Sequence, residues 1–278
     1  MRALRGTLVV GLLCVGSAWA QKAPVAPETL GALVEIPAGR FAMGNEGLEP
    51  RPNGTIWKVN ERPRRLVELE AYAVHRTEVT VQMWAEFLNR VAGETAWHRL
   101  QPVHRAPDGT YGPAVDGHTP ISGVSWLEAR AFCRWHGLDL PTEAQWERAA
   151  HGPGEAARTW PWGERAPDCR TANLHNGRTS CHDGPLPVGT TGARGASPEG
   201  VEDLSGNVAE WVLDFEAPTH DALDLVEPKG PAEGRFRVIR GGSFIEWTYR
   251  ARVTARLGAR PERRSRAVGF RCVRQGGL

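Results

Sequence analysis

Apolar residues recur along this 278-residue chain in short bursts punctuated by 32 Gly and 21 Pro. Three stretches repeat at helical spacing. After Thr80, the side chains of Trp84, Phe87, Leu88 and Val91 share one face, which predicts a helix from Thr80 to about Val91. Ser125 followed by Glu128 forms a capping box for a helix ending at Gly137, and Thr142 followed by Gln145 forms one for a helix ending near Gly152. Short alternating or apolar runs predict strands at Leu33–Ile36, Arg65–Leu69, Tyr72–His75, Phe236–Arg240 and Gly269–Val273. The residues between Trp160 and Gly206 read mostly as loop. So much irregular backbone needs disulfides or bound ions beside the usual ladders.

The first 20 residues pattern differently. Arg2 and Arg5 precede an apolar run from Leu8 to Val15, and Ala18-Trp-Ala20 is a small-x-small cleavage signature, so residues 1–20 are expected to be a signal peptide removed after Ala20. No stretch is long enough for a membrane helix, so no transmembrane segment is expected in the mature chain. Residues 21–32 read as a flexible Pro/Ala leader, and residues 33–278 as one domain. Losing Arg2 and Arg5 takes the basic count from 34 to 32 against 32 acids. That neutrality argues against nucleic-acid binding. The mature chain is expected to be periplasmic or secreted.

Export changes the reading of the cysteines. Cys133, Cys169, Cys181 and Cys272 remain, an even set that favours two disulfides in an oxidising compartment, with three pairings open. Cys169 and Cys181 flank a short polar loop and could close it locally. Without a Cys-x₂₋₄-Cys pair, a zinc site is disfavoured.

Four segments in order resemble the formylglycine-generating enzyme (sulfatase-modifying factor) family. They are Ile36–Gly44 (IPAGRFAMG), Thr77–Thr80 (TEVT) and Pro120–Glu147 (PISGVSWLEARAFCRWHGLDLPTEAQWE), and then Trp160–Gly163 through Leu204–Trp211, Arg240–Phe244 and Gly269–Cys272. The resemblance spans about Val34 to Arg274. It implies an α+β fold of the formylglycine-generating-enzyme type, similar to C-type lectins and low in regular secondary structure. It also implies that Cys133 pairs with Cys272, leaving Cys169 with Cys181.

Matched to the family's calcium motif, Asp203 and Glu210 would supply side-chain oxygens and Gly206 and Val208 carbonyls. The oxygen-only set suits Ca2+. The bland alternative is a turn with Asn207 strained and no ion. A second calcium would draw on Asn173, Leu174 and Asp183, an ordinary Asn-rich loop being the competing reading.

The resemblance also locates an absence. Active members carry two copper-binding cysteines after the Gly-Gly-Ser turn, and here those positions hold Glu246 and Ala251. Copper(I) selects soft thiolates, which a carboxylate and a methyl group cannot replace, so copper and formylglycine generation are not expected. The altered cleft offers Ser243, Glu246, Trp247, Tyr249 and Arg250 as candidates. Ser243 has no adjacent base and reads as a turn residue. For iron, only His98 and His104 with Asp108 or Asp116 suggest a cluster, and exposed loop histidines explain them as well. From Arg250 to Arg274 nine arginines face one acid, Glu262. They are either a wall for an oxyanion or partners of acids within the fold, the second being the simpler reading.

The leading expectation is an exported, calcium-stabilised domain that binds a protein, peptide or glycan without cysteine–copper chemistry. The alternatives are a divergent oxidoreductase using non-heme iron or another metal, and a structural component of a cell-surface assembly.

Overall fold

The computed structural model describes residues 31–46, 59–91, 96–156, 158–175, 180–221 and 224–276. The proposed signal peptide and nearly all of the leader lie outside them.

Three helices form where local signals place them. In α1 (Val81–Val91), Val81, Trp84, Ala85, Phe87 and Leu88 are buried, and Thr80 Oγ1 accepts from the Met83 N–H. Both capping boxes close, at Ser125 for α2 (Trp126–Trp135) and at Thr142 for α3 (Glu143–His151). Each box satisfies two N-terminal backbone donors reciprocally.

Four small sheets surround the helices. One has the order β1 (Leu33–Ile36), β4 (Tyr72–His75), β11 (Val273–Arg274), all antiparallel. The second has the order β10 (Val268–Gly269), β7 (Ala209–Phe215), β8 (Arg237–Arg240), β9 (Arg256–Ala259), with only the β10–β7 pair parallel. Two hairpins complete the set: β2 (Gly39–Met43) with β3 (Arg65–Leu69), and β5 (Val103–Arg105) with β6 (Tyr111–Pro113).

Several expectations shift. The stretch read as one strand at Gly269–Val273 is two, in different sheets. Between them Phe270 and Cys272 turn into the core, and the Cys272 carbonyl accepts from the His75 N–H. The strand expected from Phe236 begins at Arg237. The central strand β7 follows the turn at 203–208 without a break. Its first four residues are buried on both faces, so it carries no alternation to mark it. Elsewhere the described residues between Trp160 and Gly206 are irregular, as expected, apart from one short 3₁₀ turn.

Two apolar clusters form the core. One packs Trp84 and Phe87 of α1 on Phe132 of α2 and on Phe270, with Trp84 and Phe132 stacked at 5.6 Å. The other joins Trp146 of α3 to Phe41, Tyr72, Val212 and Val238. The Cys133–Cys272 disulfide staples the first cluster across 139 residues, and Cys169–Cys181 closes a loop of 12. In the chain-entropy account the long closure contributes about 5 kcal/mol.

Charge is buried too. Arg240, wholly inside, pairs with Glu147 and Glu143 and donates to the carbonyls of Val253 and Thr254. Arg256 pairs with Glu143, and Arg252 with Glu61. Farther along, Arg264 meets Glu128, Arg271 meets Glu210 and Arg274 meets Glu35. Five of the nine arginines from Arg250 to Arg274 are therefore in ion pairs, those of Arg252, Arg256 and Arg271 buried, which removes these from an oxyanion wall.

At the head of α3, Asp214 Oδ2 accepts from the Glu143 N–H at 2.7 Å. Burial, with Glu143 nearby, pushes the Asp214 carboxyl up to about 7. An acid raised on folding contributes stability that is complete below its unfolded value of about 4 and lost as pH rises through about 7. Asp214→Asn should match the wild type in urea midpoint near pH 4 and exceed it at pH 8. An equal or lower midpoint at pH 8 would contradict this reading.

Candidate functional site

Asn207 holds the site together. Its backbone is left-handed (φ 59°), as is that of Asp203 (φ 58°). Asparagine and aspartate tolerate that region better than most residues. The Asn207 N–H donates to the Asn173 carbonyl at 2.9 Å, and its own carbonyl accepts from the Phe244 N–H at 3.0 Å. The side-chain Oδ1 accepts from the Leu186 N–H at 2.8 Å, while Nδ2 donates to Glu78 Oε1 and to the Leu186 carbonyl, both at 3.2 Å. One buried residue, through its backbone and its side-chain amide together, thus ties the segment before α1, the two stretches proposed to bind calcium, and the Gly-Gly-Ser turn. Between Asp203 and Asn207 the chain passes directly against the Asn173 carbonyl. A Cβ at Gly206 (φ 86°) would collide with that oxygen.

The expected calcium ligands are brought together unequally. Asp203 is buried, and its Oδ2 accepts from the Gly189 N–H at 2.5 Å. Glu210 is turned away: Arg271 Nε and Nη2 each donate to its carboxylate at 2.7 Å, and Trp146 Nε1 donates at 2.9 Å. In the second stretch Asn173 Oδ1 is buried without a partner, while the Leu174 carbonyl accepts from the Cys181 N–H. Asp183 is exposed on its loop. Among the described residues no three His, Cys, Asp or Glu side chains gather as a metal site. The donors around Asp203 are carboxylate, amide and carbonyl oxygens, which fit a hard cation such as calcium and not a soft one.

The positions of the missing cysteines lie past the turn. Gly242 has φ 67°, and a Cβ there would press at 3.0 Å on the Arg250 backbone, so the chain leaving β8 folds back here on a glycine. Ser243 is buried, and its carbonyl accepts from the Glu246 N–H, the role of a turn residue. Ala251 is fully buried with Ala172 and Leu174, with Trp162 packed on them. Glu246 is half-buried; its Oε2 has no partner, and burial raises its pKa against the pull of Arg250 and Arg263.

Around Glu246 the lip is apolar and aromatic. Ile245 is 56% exposed and Trp247 46%. The Trp247 ring stacks on His175 at 5.7 Å, and the His175 N–H donates to the Glu246 carbonyl. Arg250 lies over the Tyr249 ring at 5.7 Å. Beside the lip opens a slot of about 190 Å³ lined by Pro167, Asp168, Ala172, Leu174, Thr248 and the Cys169–Cys181 disulfide. A larger cavity of about 420 Å³, lined by Arg65, Asp214 and His220 among others, contains none of the expected site residues.

The candidate iron cluster does not assemble. His98 Nδ1 accepts from the Leu100 N–H, and His104 Nδ1 lies 3.1 Å from the Pro113 carbonyl. Asp108 and Asp116 cap their own loops.

Comparison with known proteins adds an independent view. The sulfatase-modifying factor enzyme 1-like domain matches residues 19–276. A formylglycine-generating enzyme of Streptomyces coelicolor is 32% identical over 305 residues, covering 94% of this chain and 95% of that protein. An inactive C-alpha-formylglycine-generating enzyme 2 of Bos taurus is 33% identical over 287 residues, covering 87% of each. A hercynine oxygenase of Mycolicibacterium smegmatis is 32% identical over 246 residues, 78% of this chain and 55% of that one. Among solved structures, PvdO from Pseudomonas aeruginosa superposes with a TM-score of 0.70 at 23% identity, over 87% of this chain and 94% of its own. Treponema denticola variable protein 1 does so at 0.65 and 22%, over 88% and 95%. These two share the fold.

The hub role of Asn207 separates side chain from backbone. Asn207→Gly keeps the left-handed conformation and removes the amide bonds, so it should cost about 2–4 kcal/mol in urea unfolding. A neutral or stabilising effect would mean that backbone conformation alone matters there.

Proposed function

The chain belongs to the sulfatase-modifying factor enzyme 1-like family, and we propose that it is an exported, calcium-stabilised member that binds a protein, peptide or glycan at its altered lip without cysteine–copper oxidase chemistry. One observation carries this reading: the two positions where the resemblance requires thiolates hold Glu246 and a fully buried Ala251. No described cysteine is available to substitute, because Cys133, Cys169, Cys181 and Cys272 are all in disulfides. Cys14 lies outside the described residues.

The lip itself suits a ligand. An exposed Trp247 held flat by His175, an exposed Ile245, and Arg250 beside Tyr249 give apolar contact area next to a cation, a pairing enriched where proteins recognise one another. The adjoining slot would receive one small side chain or sugar substituent. Glu246, whose carboxyl burial pushes above the ordinary carboxylate value, adds a hydrogen-bonding group in place of a metal ligand. Calcium would be held at the Asp203 turn, where it supplies charge neutralisation and joins loops that few ladders hold. Two disulfides accord with an oxidising compartment, and among the described residues no helix is long and apolar enough to cross a membrane.

Elemental analysis of the purified protein, with oxygen uptake measured on a Cys-x-Pro-x-Arg peptide, tests the absence of oxidase chemistry. Calcium without stoichiometric copper or iron, and no peptide-dependent uptake, is the expected result. Tight copper or iron with oxygen turnover would sink the reading. On glycan arrays and in pull-downs, Trp247→Ala and Arg250→Ala should each weaken capture about tenfold or more with the melting temperature unchanged.

A further inference from the structure

The cavity of about 420 Å³ lies between the body of the domain and described residues of the β7–β8 connection. On the body side stand Glu143 and Ala144 at the head of α3, Asp214 near the end of β7, and Arg65 and Arg256 of β3 and β9. The connection is held down on the β3 side by backbone bonds. The His220 N–H donates to the Arg62 carbonyl at 2.7 Å, and the Glu68 N–H donates to the Leu225 carbonyl at 2.8 Å. Arg65 Nε reaches the Asp224 carbonyl at 3.4 Å. A space of this size suits a small molecule.

The two arginines that line it are not alike. Arg256 is opposed by Glu143 at 2.6 Å, and its Nη1 donates to the carbonyls of Asn60 and Ala217. Arg65 Nε has only a carbonyl, and its Nη1 is buried with no acceptor. Among the described residues no carboxylate is in ion-pair contact with Arg65. Burial lowers its pKa in spite of the pull of Glu147, Glu143 and Asp224. His220 lines the same space, is 7% exposed, and has its Nε2 buried without a partner. Burial brings the imidazole down to about 3, so the ring is neutral and Nε2 can carry the proton it donates.

Both unmet groups are donors, and one of them is a cation whose charge nothing in contact opposes. What is missing is an anionic acceptor. Asp214, Asp221 and Asp224 also line the cavity, so a doubly charged anion would be repelled there. A single carboxylate matches a guanidinium fork and adds the least charge beside those acids. The rest of the volume leaves room for a body of the size of a hydroxy acid or a sugar acid.

We propose that this cavity binds a small organic carboxylate, held by Arg65 and His220 beneath the β7–β8 connection. The site is separate from the lip and does not depend on what the lip holds. A bound acid ties the connection to β3 and to the head of α3.

The test titrates the full mature chain, in a buffer free of carboxylates, with acetate, lactate, gluconate and galacturonate. Galactose and inorganic phosphate are run beside them, and both heat and melting temperature are read. At least one of the four acids should bind saturably, raise the melting temperature, and do so at lower concentration than galactose or phosphate. Absence of saturable binding by all four overturns the proposal, and so does galactose or phosphate binding as tightly as the best acid. With that acid, Arg65→Gln and His220→Phe should each weaken binding by about tenfold or more, the usual loss for a hydrogen bond to a charged group. Wild-type affinity in either variant overturns the proposal. If Arg65→Gln does not fold, Arg65→Lys keeps the charge and loses the fork; it should bind more weakly, and unaltered binding overturns the proposal.

Discussion

Arg240 is the charge on which the architecture turns. Its side chain is wholly buried, and each of its terminal nitrogens serves both a carboxylate of α3 and a backbone carbonyl of the 253–254 segment. A guanidinium inside a protein is tolerable only when most of its donors are met and its charge opposed. Glu143 and Glu147, one helical turn apart on α3, oppose that charge and share the terminal nitrogens with the two carbonyls, while Nε is left buried without a partner. Once they are inside, Glu143 binds Arg256 as well, and Glu147 accepts from the Gly44 N–H at the end of β2. α3 is thereby fixed to β8, β9 and the Gly-Gly-Ser turn by electrostatics, in addition to the ladder that pairs Arg240 with Arg256.

That lattice explains how the lip can change while the frame persists. Glu246 and Ala251 lie beyond the turn that Arg240 opens, and neither takes part in the ion pairs. Ala251 packs into a small apolar cluster of its own. Chemistry at the lip and stability of the core are carried by different residues, so the loss of thiolates at one leaves the other intact.

What could be read from the sequence was what is local. The capping boxes at Ser125 and Thr142, the face of α1 and the sparse loop region follow from residues within a turn or two of one another. The strand β7 was missed because burial on both faces erases alternation. The partner of Arg252 is Glu61, 191 residues away, and no periodicity announces it. Cys133–Cys272 came from the family resemblance and not from spacing. Within the candidate site the Asp203 turn was legible as a motif. The role of Asn207 as a hub, and the approach of Glu78 across 129 residues, depend on tertiary placement alone. The Thr-Glu-Val-Thr motif was the signal available, an acid set among residues destined for the core.

The short strand β11 has a kinetic consequence. It is the third member of the sheet begun by β1, and it brings Arg274 to Glu35, 239 residues back along the chain. Until β11 forms, β4 has one open edge, and Glu210 and Glu61 await Arg271 and Arg252, which lie 61 and 191 residues further along. Contacts so distant in sequence slow the search for the native state. A chain wired in this way closes its first sheet only by joining segments 239 residues apart.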